Sequence, residues 1–446
     1  MSYLSAIIVS ATLLQGCGDD EVSPDVGSTE ARRTVLVYAI AENTLSTAYD
    51  TDAQELTTAA ASSKIPDDCN ILVYSDATSL PRITLFNKYG TTTWKTWSSD
   101  QNSADSTVML SVLREMVQNY PSKSYSLVLW SHGSGWAPTE RSIQRIYDNL
   151  TARSQARAFG VDNGVNSSLT NGDYDMDISS VKWVLEKLGV HMDYILWDAC
   201  MMQGVETAYE LRNLTDWIIG SPTETPGTGA PYYNAAAALC NADISGIISD
   251  YAAYYDNSTK YRSSFPFSCI KTSELKALAE ATAPLIRKYF SDMDDMPEAL
   301  SSAQVYSPRR FIVVRGNNAE VTSPISYDMG SLIAKTATAE EYATWRKALD
   351  KAVPYRMVPA SEWATGYAAG TYGTAHCTLT DADNYSGISM NVPEDDYDIY
   401  WVNREKLEGV PLFWNIYAKS FQWWKAAGWK DTEWELINYI QKDTTL

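Results

Sequence analysis

Two apolar runs of nearly the same design constrain this chain more than any other feature. Residues 125–130 read YSLVLW and lead directly into Ser131, His132, Gly133, Ser134 and Gly135. Residues 194–197 read YILW and lead into Asp198, Ala199 and Cys200. Short, continuous runs of branched and aromatic residues suit strands buried on both faces, as in a parallel sheet. Ligands of open parallel sheets sit outside the carboxyl ends of the strands, where each run delivers one reactive group. A thiol needs a base or an electropositive spot to ionise. His132 supplies the base, and the N-terminal amides of a helix expected after Cys200 supply the second. Gly133 lacks a side chain, so its N–H and that of Cys200 can approach a substrate carbonyl as an oxyanion hole. The pair reads as a Cys–His catalytic dyad.

The rest of the chain alternates in the same way. Residues 34–40, 70–74, 217–220 and 267–271 read as strands, and residues 83–86 and 91–97 as a hairpin around Lys88, Tyr89 and Gly90. Apolar spacing predicts helices over residues 46–63, 106–120, 177–188, 205–214 and 273–289, with Pro121 stopping the second and Asp177 opening the third. This order implies an α/β fold with a mostly parallel, doubly wound sheet. Residues 137–176 show no clear period and read as one long loop. Beyond residue 290 the pattern loosens. Strands at 310–314 and 387–392 and helical stretches at 331–353 and 413–429 predict a smaller C-terminal region packed on the core. His191 precedes its strand and falls at the opposite edge of the sheet. His376 sits in a Gly/Thr-rich loop. Of the three histidines, only His132 is placed beside Cys200.

Composition narrows the function. The net charge is -20, which argues against nucleic-acid binding, since phosphate contacts need clustered Lys and Arg. The six cysteines are Cys17, Cys69, Cys200, Cys240, Cys269 and Cys377, without a CxxC pair. That spacing predicts neither a zinc site nor a redox motif, and it leaves open whether Cys69, Cys240, Cys269 and Cys377 pair. Residues 4–14 form an apolar run of signal-peptide length, too short to span a bilayer as a mature helix. Leu14, Gln15, Gly16 and Cys17 follow and resemble a bacterial lipobox, although Met1, Ser2 and Tyr3 carry no positive charge. The expectation is a signal peptide over residues 1–16 and a polar tether over residues 17–31. Cys17 would then anchor an exported chain by lipid to the bacterial outer membrane or cell surface.

Residues 130–136 (WSHGSGW) and 197–200 (WDAC) resemble the His and Cys motifs of the clostripain family of cysteine endopeptidases, in the caspase–gingipain clan. Similarity extends to residues 38–43, 221–224, 229–232 and 386–390. The resemblance implies a caspase-like three-layer α/β/α sandwich over residues 32–290, with residues 291–446 as the C-terminal region. It implies Cys200 as nucleophile, His132 as general acid/base, and a peptide or protein substrate cut after Arg or Lys. It makes Asp198 the acid at the floor of the pocket, with Ser221, Glu224 and Thr228 around it. The chain departs from the family at Thr228, where members that cut after basic residues often carry Asp. Self-cleavage between the two motifs is implied too, and Arg141, Arg145, Arg153 and Arg157 are the candidate sites. No cofactor is expected. Calcium, which some relatives require, is left open at Asp173, Asp175 and Asp177, which lack the Gly and later Glu of an EF-hand loop. The alternative is a non-catalytic surface-binding protein that keeps the fold and presents aromatics such as Trp401, Phe413, Trp414, Trp423, Trp424 and Trp429.

Overall fold

In the computed structural model the described residues are 30–137, 159–164, 174–256, 264–307, 311–314, 319–322, 325–365, 375–394, 399–401 and 413–436. Residues 1–29, with Cys17, lie outside them, as do Asp173, Arg141, Arg145, Arg153 and Arg157.

Strand β1 (Ala31–Ile40) lies within the sheet, with a neighbouring strand on each side. Its residues alternate strictly: Leu36, Tyr38 and Ile40 enter one core, and Val35, Val37 and Ala39 the other. A strand buried on both faces needs a layer of helices on each side. On the first face these are α2 (Ser106–Asn119), α3 (Ile178–Leu188), α4 (Val205–Leu211) and α7 (Leu275–Tyr289). On the second they are α1 (Ser46–Ala61), α5 (Tyr232–Asn241) and α6 (Ile244–Tyr255). The three-layer α/β/α sandwich expected from the sequence is the observed architecture.

The sheet has nine strands. Its centre is β2 (Cys69–Asp76), β1, β5 (Ser122–Trp130), β8 (Met192–Asp198) and β9 (Thr215–Gly220), all parallel. The expected hairpin, β3 (Arg82–Asn87) and β4 (Gly90–Thr96), extends one edge antiparallel. On the other edge β10 (Phe267–Lys271) runs antiparallel to β9, and Arg356–Met357 closes it. So the parallel order holds for the five central strands and not for the flanks. There the connections are hairpins or long returns that need no crossover.

Three local differences have plain causes. The stretch read as one loop contains β6 (Phe159–Asp162) paired with β7 (Tyr174–Met176), each too short to show a period. The helical stretch 331–353 is two helices, Met329–Thr336 and Ala339–Ala352, because a Thr338–Glu341 capping box restarts the second. The terminal stretch 413–429 holds the short helices Phe413–Ala418 and Gln422–Ala426. Trp414, Trp423, Trp424 and Trp429 are buried in the first core with Trp345 and Trp434. Their large apolar area lies inside the molecule, which removes those four from any surface-binding role. Among the described residues, no helix is long and apolar enough to cross a membrane.

Candidate active site

Strands β5 and β8 lie side by side in a parallel register that pairs Trp130 with Asp198. His132 and Cys200 each stand two residues beyond that rung, so they leave the sheet at the same height on adjacent strands. Neighbouring strands are about 4.8 Å apart. The two loops also touch. A Cβ built on Gly133 would fall 2.5 Å from the Cys200 carbonyl oxygen. One built on Gly135, whose φ is +69°, would fall 2.6 Å from that of Met201. Both contacts are too close for any side chain, so the glycines let the His loop rest on the Cys loop.

The chain after Cys200 turns sharply. Met201 adopts φ 63°, a left-handed conformation rare for a side-chain-bearing residue. Its N–H donates to the Thr223 carbonyl at 2.8 Å. Helix α4 begins at Val205, where the sequence reading starts it. The Thr225 N–H donates to the thiol, 3.4 Å from Sγ. The Thr225 hydroxyl donates to the Ala199 carbonyl at 3.3 Å and holds that amide in place.

The imidazole is fixed from two sides. Its Nε2 lies 2.8 Å from Thr44 Oγ1, and its backbone carbonyl accepts from Gly160 N–H at 3.0 Å. Burial lowers its pKa from the ordinary histidine value. The neutral form, which can accept a proton, therefore persists further into the acid range. His191 is exposed at the other end of the sheet and pairs with Asp216 at 2.9 Å. His376 is exposed on the strand Ala375–Thr378.

Asp198 is 6% exposed. It accepts from the Ala230 N–H and the Tyr232 hydroxyl, each at 3.1 Å. Burial raises its pKa to about 6. A second acid shares its niche. A methyl group on Gly229 would fall 3.0 Å from Asp52 Oδ2 and 3.3 Å from Asp198 Oδ2. Asp52 accepts from the Trp130 indole N–H at 2.8 Å, and burial together with Asp198 raises its pKa well above the carboxylate range. Two carboxyls this close disfavour carrying both charges at once. Thr228 contacts the Tyr255 hydroxyl at 3.0 Å. Glu224 accepts from Thr223 Oγ1 at 3.2 Å. Ser221 is fully buried, and its hydroxyl donates to the Thr223 carbonyl within the turn. A cleft of about 670 Å³ is lined by Asp50, Gln54, Glu55, Tyr233 and Tyr254 among others, and Asp52 and Asp198 are not part of its lining.

The clostripain family model matches residues 37–381. The chain belongs to the clostripain family. It is a clostripain-like cysteine peptidase, and its substrates are peptides. It is similar to a secreted C11 cysteine protease from Bacteroides thetaiotaomicron solved with an irreversible peptide inhibitor. Identity is 27% over 90% of this chain and 99% of that one, with a TM-score of 0.66. It is also similar to an inactive zymogen C11 protease from Parabacteroides distasonis, at 26% identity over 90% and 99% of the two chains and a TM-score of 0.67. No curated protein matches it.

Three residues of this clostripain-family site escaped the sequence reading. Asp52 left a usable signal: it occupies the buried stripe of α1 with Tyr49, Leu56 and Ala59, where a lone acid asks for a partner. Thr44 and Thr225 act through loop geometry that no pattern encodes. Asp177, weighed for calcium, is the N-cap of α3, accepting from Ser180 N–H. Cys69, Cys240, Cys269 and Cys377 are buried free thiols.

Proposed function

We propose that the chain hydrolyses peptide bonds by acyl transfer through Cys200 and His132. Cys200 Sγ attacks the scissile carbonyl while His132 takes the thiol proton. The N–H groups of Gly133 and Cys200 hold the oxyanion. His132 then protonates the leaving amine, and water attacks the thioester to release the acyl product. The observation that carries this reading is the shared rung, with Trp130 opposite Asp198. A thiol-directed irreversible peptide inhibitor tests it by peptide mapping. One adduct is expected, on Cys200, which is partly exposed. The other described thiols are buried, and burial raises Cys269 to about 12 and Cys377 to about 11, so both stay protonated and inert. Labelling at any of these with Cys200 untouched contradicts the reading.

The acidic niche supports preference for Arg or Lys before the cut. Asp52 supplies from α1 the second carboxyl that the Thr228 position lacks. Asp198 is the member that ionises first. Cleavage after Lys or Arg, relative to cleavage after a neutral residue, should therefore weaken as pH falls through about 6. In Asp198→Asn it should fall about 10- to 100-fold, the worth of a charge-assisted hydrogen bond. Equal profiles for the two proteins across a peptide library would remove Asp198 from the pocket.

Export with a lipid anchor on Cys17 completes the proposal, supported by the lipobox-like residues 14–17. A diacylglyceryl mass on an N-terminal Cys17 peptide from native membranes is the expected finding, and an unmodified peptide from the same fraction contradicts it.

A further inference from the structure

We propose that Glu42, Asp76 and Asp100 form a binding site for one divalent cation of calcium's size and hardness. One carboxylate oxygen from each lies within 4.8 Å of the others. A single ion with bonds of about 2.3–2.6 Å spans that separation. Glu42 and Asp76 are fully buried, and Asp100 is partly exposed, which leaves an entry path.

The second, independent observation is Asp76. Both its oxygens are inaccessible to water and receive no hydrogen bond among the described residues. The hydroxyl near enough to serve it, that of Ser103, donates to Asp162 at 2.8 Å instead. Asp162 is itself satisfied, by Ser103 N–H at 2.7 Å and Gly164 N–H at 2.9 Å. It adds a fourth negative charge nearby without offering Asp76 a donor. No ion pair reaches Asp76 or Asp100 among the described residues. Buried carboxylates without donors are costly unless a cation meets them. An all-oxygen set selects a hard ion and excludes the zinc-type ions that favour His and Cys.

The site lies on the rim that carries His132. Glu42 and Asp76 follow or end the neighbouring strands β1 and β2, where Ile40 pairs with Asp76. The Glu42 carbonyl accepts from Asn163 N–H at 2.9 Å, which ties it to the end of β6. Two residues beyond Glu42, Thr44 meets the imidazole, and on β6 Gly160 holds the His132 carbonyl. Both supports of the histidine therefore issue from the segments the cation would brace. The rival occupant is a proton shared between Glu42 and Asp100, which lie within hydrogen-bonding reach.

Binding is measured on the full chain after chelator treatment, with terbium as the probe. Trp97 stacks edge-on against Tyr74, at 5.4 Å, two residues before Asp76 on β2; these rings sensitise a lanthanide held there. The expected result is saturable emission from one site, displaced by calcium and much less by magnesium, with a melting temperature that rises when calcium is added. Asp76→Asn and Asp100→Asn should each weaken terbium and calcium binding at least tenfold, while Asp67→Asn, on an exposed acid, should not. Asp100 is partly exposed, so its variant carries the test even if Asp76→Asn does not fold. A folded wild type without displaceable emission, or wild-type affinity in Asp100→Asn, overturns the proposal and leaves the shared proton. The readout is binding and melting, measurable on Cys200→Ala as well, so the outcome is independent of the peptidase mechanism.

Discussion

Cys200→Ala is expected to lower kcat/KM for peptide hydrolysis by on the order of 100,000-fold, and His132→Ala by a similar amount. The two act as one unit, so the double variant should be no worse than either alone. Removing the sulfur removes the bond-forming atom. Removing the imidazole leaves the thiol without its proposed base, with the Thr225 N–H still beside it. His191→Ala should retain wild-type activity, because His191 sits at the far end of the sheet with Asp216. The same set decides self-activation: a gel shift from cutting near Arg141, Arg145, Arg153 or Arg157 should vanish in Cys200→Ala. Wild-type turnover in Cys200→Ala would end the mechanism. Full activity in His132→Ala would reassign the base.

Gly133→Ala should be the most damaging change that touches no reactive side chain. Its new methyl group meets backbone, the Cys200 carbonyl at 2.5 Å and the Met202 side chain at 3.0 Å. Met202 can shift, but the carbonyl belongs to the strained turn at Met201 and cannot. The His loop must then lift from the Cys loop, which moves the proposed oxyanion donor and the imidazole together. Displacing one such donor costs about 100- to 1,000-fold in kcat. The measurement is kcat and KM beside a melting curve. A large fall in kcat with little change in melting temperature is the expected pattern. Wild-type kcat in a folded Gly133→Ala protein would show that the loops do not need this contact.

Much of this was legible in the residues. The two apolar runs ending in His132 and Cys200 encode both their strands and their shared rim, because a parallel sheet places all strand ends of one direction together. Helix α3 was equally plain, with Asp177 as its cap and Val181, Val184 and Leu185 on its buried face. What failed to show depended on partners far along the chain. Helix α5 was not anticipated, since the alanines at 235–238 carry almost no periodic signal; α6 was missed although Ile244, Ile247, Ile248 and Tyr251 mark a helical face. The Thr225 N–H that meets Cys200 Sγ lies 25 positions further along the chain, and no local pattern announces it. The sequence could not place the Glu224 side chain relative to Thr228. The structure instead brings Asp52 to Asp198, from a helix nearly 150 residues earlier, and no local pattern records such a meeting.

The edge strand Arg356–Met357 has a consequence for how the molecule is made. It pairs with β10, so the sheet bearing both reactive loops keeps an open edge until that point of the chain has left the ribosome. Open edges invite wrong partners. One core likewise waits for the tryptophans at 414–434. A nascent chain stopped short of them would hold Cys200 and His132 in sequence while lacking part of the core beneath them.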